Sequence, residues 1–348
     1  MRRQLLDPVG EVDVVDVVRR LCGVQAQVPA AASLAVRVRQ QNPPAGGAAR
    51  ALEERRLTRT WAMRGTLHLL APSEAGAYLS LVGASRSWEK GSWQKAFGLA
   101  PEEMVMLVEA VGQVLDGQVL SRDELVTAVG ELLDRPDLEA ELRSGWGAVL
   151  KPVAWQGGLC HATYDGNRVS FARPDQWLPD WAGVPDPEEA AQLVIPAYLR
   201  AYGPATPERF DAWLTRGTSG KAAVRSWFAA LDDRLATVEV DGEPTFMLAE
   251  DVDDLGGTSP THTVRLLPGF DQYVLGPGTK AEEIIAPARR AAVSRTAGWI
   301  SPVVVAGGRV AGTWEIDGDR VRVRLFEEAG PIPDGALDAE VARIEELR

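Results

Sequence analysis

At 348 residues the chain is long enough for two or three domains, and its 45% apolar and 25% charged content is that of an ordinary soluble globular protein. It has no run of about 18 apolar residues, so no membrane span is expected. The net charge of −12 argues against a generic nucleic-acid binder. That charge is unevenly spread: the first 70 residues carry 11 arginines and 6 acids, the remainder 26 basic and 43 acidic groups. The opening stretch does not read as a secretory signal. Two distant cysteines, Cys22 and Cys160, fit a cytoplasmic protein without a disulfide framework.

The first expected helix covers 12–24, where Val14, Val17, Val18 and Leu21 keep the spacing of a buried face. Gln25 takes the next place on that stripe, Gln27 follows two residues later, and Pro29 disfavours helix from Val28 onward. A buried amide needs hydrogen-bond partners, so the pair is either a structural knot or part of a cleft that handles a ligand. Helices are expected next at 30–40 and 46–56. The arginines Arg37, Arg39, Arg50, Arg55, Arg56, Arg59 and Arg64 flank the glutamines. They form either a local polyanion-binding face or a solvated arginine-rich surface. Strands follow at 57–61 and 65–70. In an extended strand Arg64, Thr66 and His68 share one face, which suits an anion or, equally, the outer side of an ordinary wing.

A second group of helices is expected at 101–115, 121–134 and 142–155, with Ser121 and Glu124 forming a capping box. Strands at 159–164 and 168–172 then flank a turn at Asp165-Gly166-Asn167. The Pro- and Asp-rich stretch 179–187 reads as a linker. A third group places helices at 187–201, 206–214 and 219–230 before strands at 235–240 and 245–248, joined at Asp241-Gly242. Helices followed by a hairpin make the winged-helix arrangement. Beyond residue 262 the pattern is β-rich, with strands at 263–267, 299–305, 309–315 and 320–326 and a terminal helix at 337–348. The expected fold is therefore α+β: three tandem winged-helix units, 1–75, 76–180 and 181–260, and a small β-barrel-like C-terminal region, 261–348.

The histidines His68, His161 and His262 lie about a hundred residues apart, and no metal-ligand spacing occurs. No phosphate-binding Gly-rich loop or Gly-x-Ser-x-Gly motif is present. Cys22 is a possible nucleophile by type, but next to Leu21 it reads more readily as core. No cofactor or metal is expected, and most of the eleven tryptophans are assigned to packing.

Five segments in order, GVQAQ (23–27), WAMRGTLHL (61–69), AYGPATPERFDAWL (201–214), LLPGFDQYVLG (266–276) and VVVAGGRVAGTW (303–314), resemble the bacterial AlkZ/YcaQ family of winged-helix DNA glycosylases. The resemblance runs from near the N-terminus to about residue 315. It implies a monofunctional enzyme that hydrolyses the N-glycosidic bond of alkylated purines, chiefly N7-alkylguanine, some members unhooking interstrand crosslinks. The family's Gln-x-Gln or Gln-x-Asp pair matches Gln25 and Gln27. Double-stranded DNA would be the partner of a monomer, with Arg37, Arg39, Arg56, Arg59, Arg64, Thr66 and His68 as candidate DNA contacts. Where family members carry an arginine-bearing segment after residue 276, this chain has Pro277-Gly278-Thr279-Lys280, and Arg289, Arg290 and Arg295 follow.

The chemistry agrees with the match. Glutamine cannot take a proton near neutral pH, so the pair can only orient water and stabilise charge. N7 alkylation makes the purine cationic, and such a base leaves without an acid. On a helix, residues two apart point about 200° apart, so either the segment leaves helical geometry near Ala26 and both amides reach one site, or one of them only supports the other from behind. The alternatives are a non-catalytic winged-helix DNA-binding protein, for which dimer symmetry and a basic recognition helix would be expected, and a drug-sequestering protein on the same scaffold.

Overall fold

The computed structural model describes residues 1–143, 147–165, 168–330 and 332–347. They form two compact units, each assembled from separated stretches of chain. The first takes Met1–Ala49, Pro196–Trp213 and Leu231–Arg348, and the second Arg50–Ile195 and Leu214–Ala230. The order of helices followed by a hairpin recurs along the chain. Helices Pro187–Tyr202, Pro207–Thr215 and Lys221–Ala229 precede the antiparallel strands Leu235–Val240 and Glu243–Leu248. Asp241 and Gly242 between these strands both have positive φ, 52° and 83°, as a two-residue hairpin turn of matching twist requires.

In the second unit, strand Thr58–Trp61 pairs antiparallel with Leu67–Leu70 on one side and with Cys160–Asp165 on the other. Arg168–Ala172 pairs with Cys160–Asp165, and the short Leu120–Ser121 strand pairs with Arg168–Ala172. Two wings that read as separate hairpins in the sequence thus share one sheet. Helices Pro101–Val114 and Arg122–Leu133 stand where expected, the latter started by the Ser121–Glu124 capping box. Within the expected helix 142–155 the structure forms Leu150–Trp155, and residues 144–146 lie outside the described residues, as does the Gly166-Asn167 turn. Helices Pro72–Gly83 and Gly91–Phe97 have no counterpart in the expected pattern. The stretch read as a linker is packed: the Gly183 carbonyl oxygen would lie 1.6 Å from a Cβ at Gly76, so no other residue fits at that helix position.

The C-terminal part of the first unit corrects the barrel expectation. Four antiparallel strands, Val264–Leu267, Val303–Ala306, Arg309–Asp317 and Arg320–Leu325, form an open sheet in which 264–267 and 320–325 are the two edges. Four strands are too few to close around a filled interior, for which about eight are typical. The terminal helix Ala336–Glu346 covers one edge instead. Its buried Glu340 accepts hydrogen bonds from the Leu266 backbone N–H (3.2 Å) and from Arg265 (3.0 Å), satisfying a donor that another strand would otherwise take. Leu266, Val303, Val304, Trp314 and Ile344 belong to the core of this layer. Among the described residues no helix is long and apolar enough to cross a membrane.

Candidate active site

The Gln25–Gln27 segment lies in the first unit, and its conformation is set by how the preceding helix ends. Helix α1 (Val14–Arg20) starts at Asp13, whose carboxylate accepts the Val15 N–H. Its apolar stripe is buried as read, with Val14, Val17, Val18 and Leu21 at most 2% exposed. The helix stops four residues short of the expected end. Gly23 N–H donates to Val18 O (2.9 Å) and Cys22 N–H to Arg19 O (3.0 Å), the paired bonds of a Schellman cap. Cys22 (φ 53°) and Gly23 (φ 92°) are both left-handed, and at Gly23 only glycine adopts that value without strain.

Gln25 is therefore not on the helix stripe. It lies in a short extended segment, Val24–Gln25, and Val28 is extended as well (φ −117°, ψ 103°) before Pro29 opens helix α2 (Pro29–Arg37) at its first position. The helical relation that would point the two amides about 200° apart therefore does not apply to this segment. Gln25 is 7% exposed and Gln27 is exposed, so one amide lies inward and the other outward. Gln25 Oε1 is buried and accepts no hydrogen bond among the described residues. It is not the knot that a structural amide would form.

Two of the segments singled out in the sequence meet at the end of α1. Tyr202 donates its hydroxyl proton to Leu21 O, the carbonyl at the end of α1. Gly276 lies against the Tyr202 ring, where a Cβ would come within 2.2 Å. Sequence reasoning assigned no role to Tyr202. Its signal, a tyrosine followed at once by Gly203-Pro204, is visible only when the partner carbonyl is known.

The candidate DNA contacts separate sharply. Arg39 is fully buried and belongs to the core. Its guanidinium makes a two-pronged pair with Asp271 (2.8 and 2.7 Å) and also donates to Ala35 O (2.7 Å) and Gln4 O (3.0 Å). Both side chains of the pair are 0% exposed, so Arg39 is corrected from a phosphate contact to a structural residue. His68 is also corrected: it is 0% exposed and faces Thr60 across the strand pair. Its Nδ1 shares a 2.9 Å hydrogen bond with Thr66 O. Burial, reinforced by the charge of Arg64, pushes the imidazole down to about 3, so it is neutral at physiological pH.

Arg64 is not on a strand face. It occupies the Met63–Gly65 turn with φ 58° and is half-buried, so the expected Arg-Thr-His face does not form. Thr66 turns its hydroxyl to Met63 O (3.2 Å). Arg59 is 7% exposed, opposite His161 across neighbouring strands, and burial lowers its guanidinium to about 10. Arg56 is exposed and pairs with Glu54 (2.9 Å). Arg37 is half-buried on α2 and donates to Leu347 O. Cys22 is 1% exposed, and burial raises the Cys160 thiol to about 12, which suits neither to nucleophilic work. Among the described residues no cluster of His, Cys, Asp and Glu has the makings of a metal site.

A winged-helix-like chain with a glutamine pair between the end of α1 and the start of α2 is the class defined by this arrangement. The family model for DNA glycosylase AlkZ-like proteins matches residues 18–347. An interstrand DNA cross-link repair glycosylase of Streptomyces sahachiroi is 50% identical over 345 residues, covering 99% of this chain and 93% of that protein. The solved structure of Streptomyces sahachiroi DNA glycosylase AlkZ superposes with a TM-score of 0.95 at 49% identity, covering 99% of this chain and 94% of the other. The chain belongs to the AlkZ-like DNA glycosylase family. It is a DNA glycosylase, and DNA is its partner.

Proposed function

We propose that Gln25 and Gln27 hold the attacking water and that the substrate is an N7-alkylated guanine, including guanines joined in an interstrand crosslink. The observation that carries this reading is the buried, unpartnered Gln25 Oε1. Leaving a buried acceptor unsatisfied costs about 1–3 kcal/mol, a cost a fold retains where a ligand supplies the missing donor. A water donating to Gln25 Oε1 would supply it. The exposed Gln27, two residues on, offers a second carbonyl to the same water or to the sugar.

The chemistry follows from what an amide can do. Alkylation at N7 places a positive charge on the guanine, so the C1′–N9 bond breaks with the electron pair leaving on a neutral base. The positive charge then passes to the sugar as an oxocarbenium-like state. Carbonyl dipoles aimed at C1′ stabilise that charge as it develops, and the oriented water attacks C1′. Its proton passes to solvent, because neither amide accepts it.

Arg37, Arg56 and Arg64, which the fold leaves at least partly at the surface, are the remaining phosphate-contact candidates, acting in a monomer. Crosslinks are included because the Streptomyces sahachiroi relative is named for interstrand DNA cross-link repair. The test is release of base from duplex containing N7-methylguanine. Gln25→Ala with Gln27→Ala should slow single-turnover release by roughly 10²–10³-fold, the usual effect of removing a preorganised dipole. An unchanged rate refutes the assignment.

A further inference from the structure

The first unit contains a cavity of about 1100 Å³ that the glutamine chemistry does not use. One wall is helix α2, presenting Ala31, Leu34 and Arg37, and its lining begins at Val28, the residue after Gln27. The facing wall carries three aromatic rings, Phe270, Trp299 and Trp314. Neither Gln25 nor Gln27 lines it.

Two properties describe what this cavity takes. The first is aromatic surface held open. Trp299 is 46% exposed, and its ring is fixed edge-on against Phe270, with centroids 5.1 Å apart at 78°. Trp314 is only 4% exposed, with its indole N–H donated to Leu267 O (2.8 Å), so Trp299 supplies the open aromatic surface. The second is positive charge on an acidic chain. Arg295 and Arg324 also line the cavity and are exposed, and their side chains make no hydrogen bond or ion pair among the described residues; with Arg37 and Arg322 they outnumber the acidic lining residue Glu315. A cavity of this size is in the class that encloses drug-sized ligands, far beyond what one methyl group on a purine needs.

We propose that the cavity receives the non-nucleotide part of a bulky purine adduct, a planar aromatic group stacked on Trp299, while Arg295 and Arg324 receive the phosphates beside the lesion. This rests on the reading of the substrate as an N7-alkylguanine. Binding energy from this remote group would hold the adduct with its glycosidic bond beside the glutamines, so losing it lowers the rate and not only the affinity.

The experiment compares two duplexes, one with N7-methylguanine and one with N7-guanine bearing a planar polycyclic aromatic group, for the wild type, Trp299→Ala and Trp299→Phe. Rates of release and affinities are both measured. The ratio of the aromatic-adduct rate to the methyl-adduct rate should fall about tenfold in Trp299→Ala, the loss of one stacking contact, and recover in Trp299→Phe. Equal slowing on both duplexes, or no change in the ratio, overturns the proposal. Should the wild type release neither base, the substrate reading fails. The cavity is then judged by affinity, and equal binding of the aromatic-adduct duplex by wild type and Trp299→Ala overturns it.

Discussion

Replacing Arg39 by leucine distinguishes a core arginine from a DNA contact. In the wild type its guanidinium makes four hydrogen bonds, two of them to Asp271, in a setting where both side chains are 0% exposed. Arg39→Leu leaves the Asp271 carboxylate buried, with the Tyr273 N–H (2.8 Å) still donating to it. Breaking a buried pair from one side costs about 3–5 kcal/mol, because the orphaned charge keeps its desolvation penalty. Against a total stability of about 5–15 kcal/mol, that is a large drop in urea midpoint.

Removing both charges, Arg39→Leu with Asp271→Leu, should cost less than Arg39→Leu alone, since no buried charge remains. The residual loss, about 1–2 kcal/mol, reflects the helix cap that Asp271 provides to Tyr273. Arg39→Lys should not rescue, because an ammonium cannot span both carboxylate oxygens as the planar fork does. The assay is urea unfolding of the four proteins, beside the salt dependence of duplex binding. The reasoning is refuted if Arg39→Leu leaves the urea midpoint in place while the slope of log K against log salt shrinks by about 0.9, the signature of one lost phosphate contact.

Further outcomes follow from the same geometry. Tyr202→Phe removes the hydroxyl that holds Leu21 O at the end of α1, and should cost about 1 kcal/mol in thermal unfolding while slowing base release more than that loss alone would. Normal release would show that the Gln25 loop needs no such support. Gly276→Ala drives a methyl into the Tyr202 ring and should destabilise by about 1–3 kcal/mol, read from the urea midpoint. His68 titrates at about 3 when folded against 6.5 when free, so protons bind the unfolded chain better. Its contribution, roughly 5 kcal/mol at most, is fully present above pH 6.5 and is lost as pH falls from 6.5 towards 3. His161, also pushed well below its ordinary value by burial, acts in the same sense. A melting temperature that stays level from pH 8 to pH 4 would contradict this. Release of N7-methylguanine, by contrast, should be level from pH 7 to 9, since amides do not titrate there; a bell-shaped profile would mean a missing acid or base.

The sequence by itself determined the local pieces. Local patterns marked the buried stripe of α1, the capping box at Ser121 and helices at 101–115 and 121–134, which form over 101–114 and 122–133, because each depends on neighbours within a turn or two. Asp241-Gly242 marked a hairpin, because the pair takes up positive φ readily whatever surrounds it. The family was legible in five ordered segments, and with it the glutamine pair. Only the tertiary structure decided where α1 ends, because an apolar stripe cannot report a cap built from Cys22 and Gly23. Only it decided that Arg39 and His68 are buried: a charge in sequence looks the same whether it meets water or an aspartate 232 residues away. The barrel failed for a related reason. Alternation predicts strands but not how many share a sheet, and the 264–267 edge is closed by Glu340 from the terminal helix, a contact across 74 residues. The unpartnered Gln25 Oε1 belongs to the same class, because whether a buried amide is satisfied depends on every chain segment packed around it.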